Sequence, residues 1–294
     1  MTGKVVLVTG CSSGFGIEIV TAAARRGWRP VATMRDLGRR EALDRALRDA
    51  SVEADVLELD VTNPGSVRGA VAQVAERTGG RIDAVVLNAG IGDAGFFEDL
   101  SDETVRRIFD TNFFGAVDVA RAVLPHMRAR RSGRIIAVSS IGVFLPYPAL
   151  GTYVASKRAL EGWAESLAVE VKPFGIDVAC VEPGGYATSI WNNASVARRE
   201  ASPYTPLVDT MEPLMRERIA KTARDPREVG ERIAKLLEER HPRLRNPVGP
   251  DARLMRVATH LVPFRARVGL LSRITGFNKV KVGAEARQPA LSAK

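Results

Sequence analysis

Val5-Val-Leu-Val-Thr-Gly-Cys-Ser-Ser-Gly-Phe-Gly16 is an apolar run that breaks into three glycines, Gly10, Gly14 and Gly16, just where a helical pattern begins. Glycines suit a strand-to-helix turn because the backbone bends tightly there and phosphates approach it closely. The free N–H groups and the positive end of the helix then face the negative charge. A glycine trio alone is weak evidence. One that follows a strand and opens a helix at the head of a chain carries more, and it predicts the first unit of a nucleotide-binding fold.

Outward from this stretch, short apolar runs alternate with longer amphipathic ones. Strands are predicted over 5–8, 29–34, 54–59, 84–87, 134–139 and 177–182, and helices over 16–26, 38–48, 64–77, 102–127 and 152–171. Each strand is a nearly unbroken Val/Ile/Leu run, the pattern of a sheet covered on both faces. Strand and helix in alternation imply βαβ units with right-handed crossovers. The fold expected is α/β, a Rossmann-type doubly wound parallel sheet of about seven strands with helices on both faces. The seventh strand is placed at the edge, over 244–248, despite Pro247. Residues 1–250 read as one catalytic domain. Within it, about 185–225 is an irregular, proline-punctuated substrate lid with short helices, followed by a helix over about 226–240. Residues 251–294 read as a basic amphipathic extension.

Tyr153 and Lys157 stand four apart in Tyr-Val-Ala-Ser-Lys, a spacing that puts phenol and ammonium on one helix face. An ammonium beside a phenol favours the phenolate and lowers a pKa that is ordinarily ~10. Such a tyrosine can pass a proton at neutral pH.

The blocks Thr9-Gly10-x-x-x-Gly14-x-Gly16, Asn88-Ala-Gly90, Asn112, Ser139-Ser140, Tyr153-x-x-x-Lys157 and Pro183-Gly184 resemble the short-chain dehydrogenase/reductases, in that family's order and spacing. The likeness covers about 4–190 and is to the compact, single-domain branch. Thr-Gly-Cys-Ser-Ser-Gly-Phe-Gly and Ala-Thr-Met-Arg-Asp look most like its hydroxysteroid and retinol dehydrogenase members. The resemblance implies an oxidoreductase that moves hydride between a nicotinamide and a ketone or secondary alcohol. It implies Tyr153 as general acid/base, Lys157 as the group that tunes it and holds the nicotinamide ribose, Ser140 as carbonyl polariser and Asn112 as holder of a proton-relay water. Ser140 lies thirteen residues before Tyr153, the family's usual offset, which leaves Ser139 facing inward. Gly10, Ser12, Ser13, Gly14, Phe15 and Gly16 would cradle the cofactor phosphates. Asp60, Val61, Asn88, Ala89 and Gly90 would line its adenosine side. Pro183, Gly184, Tyr186 and Thr188 would fix the carboxamide.

Two readings of the cofactor compete. Asp36 lies twenty residues after Gly16, where an acid reaches the ribose 2′-OH of NAD. In the resembling family, however, the NAD-selecting acid closes the second strand, and Met34 stands there. Arg35 follows, suited to a 2′-phosphate. NADP(H) is favoured over NAD(H). An NAD-dependent alcohol or steroid dehydrogenase is the alternative. A non-catalytic nucleotide-sensing module is a third reading, opposed by the intact Asn112, Ser140, Tyr153 and Lys157.

Phe96, Phe144, Leu145, Tyr147, Tyr186, Trp191 and Met211 are candidates for a substrate pocket, mostly beyond strand ends or in the lid. Together they fit an apolar substrate such as a steroid, retinoid or long-chain carbonyl. The long predicted helices 102–127 and 152–171 suit the pairing of family members, so a homodimer or homotetramer is expected.

Of 294 residues 45% are hydrophobic, an ordinary globular content. Cys11 and Cys180 are too few for a disulfide framework, and a reducing, cytoplasmic setting follows. No run approaches the ~20 apolar residues of a membrane span, and the first apolar stretch ends too soon for a signal peptide. His126, His241 and His260 lack metal-ligand spacing, so no metal is expected, and no Gly-x-Ser-x-Gly elbow marks a hydrolase. The net charge of +9 is uneven: residues 1–239 hold 31 Lys/Arg against 32 Asp/Glu, and 240–294 hold 12 against 2. No aromatic ladder or recognition helix turns this tail into a nucleic-acid site. Its apolar and cationic residues, split by Pro263, fit two short helices that pack on the body or lie peripherally on a membrane.

Overall fold

The structure, a computed structural model, describes residues 3–188, 196–222 and 224–280. Its main sheet comprises β1 (Val5–Val8), β2 (Arg29–Met34), β3 (Asp55–Glu58), β4 (Ala84–Leu87), β6 (Gly133–Val138), β7 (Ile176–Pro183) and β9 (Arg245–Val248). The strand order is β3-β2-β1-β4-β6-β7-β9, and every pairing is parallel. Two-residue strands β5 (Ala94–Gly95) and β8 (Val196–Ala197) pair apart from it.

Parallel neighbours need long crossovers, and helices supply them. On one face lie α3 (Pro64–Thr78), α5 (Gly115–Ala129) and α6 (Gly151–Val171). On the other lie α1 (Phe15–Arg25), α2 (Glu41–Ala50) and α8 (Arg227–Glu238). Strand β1 shows why the strands read as unbroken apolar runs: Val5 and Leu7 enter one core while Val6 and Val8 enter the other. The order reverses at β1, with β2 on one side and β4 on the other, so a crevice opens beyond their carboxyl ends.

Two expectations need correction. The helix predicted over 102–127 is interrupted: α4 (Asp102–Phe109) passes through a π turn, Asp110–Phe114, into α5. The lid, expected to hold only short helices, contains the 18-residue α7 (Thr205–Thr222). Pro206 sits in its first turn, where a missing N–H costs little, although Pro213 lies inside. Val208 and Met211 bury themselves against Phe96, and that packing holds the helix despite Pro213.

The extension forms α9 (Pro250–Leu261) and α10 (Phe264–Ile274), divided at Pro263 as the sequence predicts. Both pack on the body through buried Ala252 and Leu271. Thr259 Oγ1 donates to the Phe144 carbonyl at 2.9 Å. Phe277, just beyond α10, joins the lid cluster around Phe96. No helix among the described residues is long and apolar enough to cross a membrane.

Candidate active site

At the mouth of the crevice Gly14 caps α1 with φ 60° and offers no side-chain oxygen to the helix, so the first N–H groups point outward. Gly10 has φ 73°, and a Cβ on it would lie 2.8 Å from the Ala89 Cα. The glycine turn and the β4 loop therefore cross nearly in contact. Asn88 stitches the crossing: its Nδ2 donates to the Thr9 carbonyl at 2.8 Å and the Gly10 carbonyl at 3.1 Å. The Ala89 N–H donates to Thr9 Oγ1 at 3.0 Å. The Asn88 amide thus serves the scaffold, and any adenosine contact falls to its backbone neighbours.

Across the crevice, Lys157 is buried and its Nζ donates to the Val138 carbonyl at 2.9 Å. The same nitrogen lies 5.9 Å from the centre of the buried Tyr153 ring. Ser140 hydrogen-bonds Tyr153 and accepts the Gly142 N–H at 3.1 Å. A Cβ on Gly90 would lie 3.3 Å from both Lys157 Nζ and Asn112 Oδ1, so this glycine lets the β4 loop reach the pair. The π turn aims Asn112 inward, where Oδ1 accepts from the Ile91 N–H at 2.8 Å and Nδ2 donates to the Ile91 carbonyl at 2.9 Å. Asn112, Ser140, Tyr153 and Lys157 are thus brought together, linked by the β4 loop.

Burial sets the charge states here. It pushes the Tyr153 phenol up, and the Ser140 hydrogen bond opposes it without reversing the direction. It pushes Lys157 down to about 8. The lowering expected from the amine does not appear in the protein alone, where desolvation is the larger influence on the phenol and the Ser140 hydrogen bond the opposing one.

At the ribose end of the crevice Met34 is buried and Arg35 is exposed. Asp36 spends Oδ1 on the Gly38 N–H at 2.8 Å, capping a short 3-10 turn. Asp60 Oδ1 is taken up by Thr62, from N at 2.9 Å and Oγ1 at 2.8 Å. Val61 is buried against Gly115. Ser12, Ser13, Phe15 and Gly16 line the turn, and a Cβ on Gly16 would meet the Gly10 carbonyl. Thr188 arches over it, its Cβ 3.6 Å from where a Gly14 Cβ would stand. Glycines that leave the backbone open and an uncapped helix start fit the phosphates of a dinucleotide.

The pocket candidates divide. Phe144 and Leu145 are buried after Ser140, with Tyr147 half-buried beside them. Phe96 and Met211 form a separate lid cluster in which Phe96 stacks on Tyr204 at 4.8 Å. Tyr186 does not join either group. Its ring meets Phe15 edge-on at 5.7 Å and its hydroxyl donates to Glu228 Oε2 at 3.0 Å, on the opposite sheet face. The backbone at Tyr186 pairs with Arg224 in an isolated parallel bridge. Trp191 lies outside the described residues.

Sequence reasoning passed over four residues. Ser156 accepts from Asn112 Nδ2 at 3.0 Å, and its place beside Lys157 was the available signal. Glu161 accepts from Ser139 Oγ at 2.6 Å, which turns that serine inward, and also pairs with Arg245. Glu182, wholly buried in β7, is pushed up to about 7 by desolvation. Asp251 Oδ2 accepts from the Gly185 N–H at 2.7 Å, tying the extension to the Pro183–Thr188 loop. The last three carried no local signal. A cleft of about 570 Å³ between α1, α8 and the start of α9 is lined by none of the four catalytic candidates, and geometry here outweighs size.

Residues 4–199 match the family model described as short chain dehydrogenase. The chain belongs to the short-chain dehydrogenase family. Among curated members it is 37% identical over 253 residues to retinol dehydrogenase 8 of Homo sapiens, covering 82% of this chain and 80% of that protein. It is 36% identical over 255 residues to a 3-ketodihydrosphingosine reductase of Bacteroides thetaiotaomicron, covering 85% and 89%. A solved short-chain dehydrogenase from Streptomyces avermitilis superposes with TM-score 0.77 at 33% identity over 94% of this chain and 98% of that one. As a short-chain dehydrogenase the protein is an NAD(P)-binding oxidoreductase that acts on alcohol and carbonyl groups.

Proposed function

We propose that this short-chain dehydrogenase uses NADP(H) and works chiefly as a reductase of apolar ketones, such as steroid, retinoid or long-chain carbonyls. The observation that carries the chemistry is Tyr153, buried one helical turn from Lys157 and hydrogen-bonded to Ser140. The bound nicotinamide would supply or accept the hydride. Tyr153 gives its proton to the substrate oxygen, Ser140 holds that oxygen and Lys157 steadies the phenolate left behind. A phenol pushed up by burial carries its proton at neutral pH and so has one to give. The apolar substrate class is supported by buried Phe144 and Leu145 and by the retinol and ketodihydrosphingosine enzymes among its relatives. A homodimer or homotetramer joined through α5 and α6 belongs to the reading, since Phe114 at the head of α5 and Val169 in α6 leave apolar side chains exposed.

The cofactor choice draws on Arg35 and Asp36: the guanidinium is exposed at the ribose end while the carboxylate is committed to its own turn. Fluorescence titration with NADPH and NADH tests it. Arg35→Ala is expected to weaken NADPH by about 10-fold or more, the scale of a charge-assisted pair, and NADH much less. Equal weakening would reject NADP(H). Tyr153→Phe is expected to cut ketone reduction at least about 100-fold with NADPH affinity retained, and unchanged turnover would remove Tyr153 from its role.

A further inference from the structure

Helices α9 and α10 hold seven of the twelve exposed large apolar side chains found among the described residues. Leu254, Val257 and Leu261 recur at i, i+3 and i+7, so they share one face of α9, and Leu261 is 76% exposed. On α10, Phe264, Val268, Leu270 and Ile274 are exposed, while Leu271 is buried. Phe264 is 60% exposed. The inward sides are already satisfied by Ala252, Leu271 and the Thr259 bond to Phe144. These seven side chains therefore leave large apolar surface exposed along both helices of the extension.

Charge narrows what can cover it. Between 250 and 280 stand Arg253, Arg256, Arg265, Arg267, Arg273 and Lys279, with Asp251 the one acid, and that carboxylate is turned to the Gly185 N–H. A second copy meeting this patch across a two-fold axis would set six cations against six. We propose that this face docks peripherally on an anionic lipid surface. Such a surface supplies an apolar layer for the leucines and Phe264 and negative headgroups for the flanking arginines. Helices of 12 and 11 residues are too short to span a bilayer but can lie along it, and Pro263 sets the bend between them. Thr259 Oγ1 and Arg267 Nη1 both donate to the Phe144 carbonyl, at 2.9 and 3.4 Å. The docked helices thus abut the turn that follows Ser140, placing a lipid-dissolved ketone beside the site. Only that delivery step depends on the proposed substrate class.

Co-sedimentation of the full chain with vesicles tests the docking without substrate or nucleotide. Vesicles of phosphatidylcholine with roughly one-third phosphatidylglycerol should bind it, and added salt should release it. Leu261→Glu with Phe264→Glu, and separately Arg253→Gln with Arg265→Gln and Arg273→Gln, should each weaken binding at least about tenfold. Both variants should retain wild-type turnover of a water-soluble ketone, which shows that they are folded. Negligible sedimentation of the wild type, equal binding to pure phosphatidylcholine, or a concentration-dependent dimer abolished by the glutamates would each overturn the proposal.

Discussion

Lys157 holds its charge where burial opposes it, and its pKa falls from 10.5 to about 8. Below pH 8 both folded and unfolded chains carry this proton, and the folded chain bears the full desolvation penalty. Between about 8 and 10.5 the unfolded chain binds the proton and the folded chain does not, so this contribution to stability rises with pH. Lys157→Met is therefore expected to be inactive yet more stable than wild type at pH 7, by up to about 3 kcal/mol, with the gap closing towards pH 10. Urea unfolding at three pH values checks it, and a constant or reversed gap would show that the ammonium is compensated. The pairing of Tyr153 with Lys157 was legible because a helix repeats in about four residues. The sign of the Tyr153 shift was not, because desolvation depends on what the rest of the fold places around the ring.

At the scale of elements, the strands were legible within a residue or two; burial on both faces writes itself as nearly unbroken Val/Leu in the central β1 and β4, and less so in the edge strands β3 and β9. The break at Asp110–Phe114 was not, for a π turn leaves the apolar periodicity nearly intact. Its consequence is energetic as well as chemical. Asn112→Ala would leave the Ile91 N–H and carbonyl without their partner and is expected to cost about 2–3 kcal/mol. Denaturant titration measures this, and a loss below 0.5 kcal/mol, the low end for one hydrogen bond, would mean that water replaces the amide. Helix α7 was hidden by the opposite error. Pro206 and Pro213 read as breakers, and only the tertiary contact of Val208 and Met211 with Phe96 shows why the helix persists.

For the whole molecule, the parallel doubly wound sheet was legible from the alternation of strand and helix, and the glycine turn marked the crevice; the strand order was not, because no local signal says which strands become neighbours. Long-range joints were invisible: nothing near Asp251 in sequence points to Gly185, and nothing near Phe277 points to Phe96. The first of these joints also constrains engineering. Gly184 has no room for a side chain because the Asp251 carboxylate fills the place, and the same carboxylate accepts from Gly185. Grafting a foreign tail onto this scaffold, or this tail onto another reductase, would mean transplanting the glycine pair and the aspartate as one unit. A chimera that separated them would lose the contact that holds this loop in place.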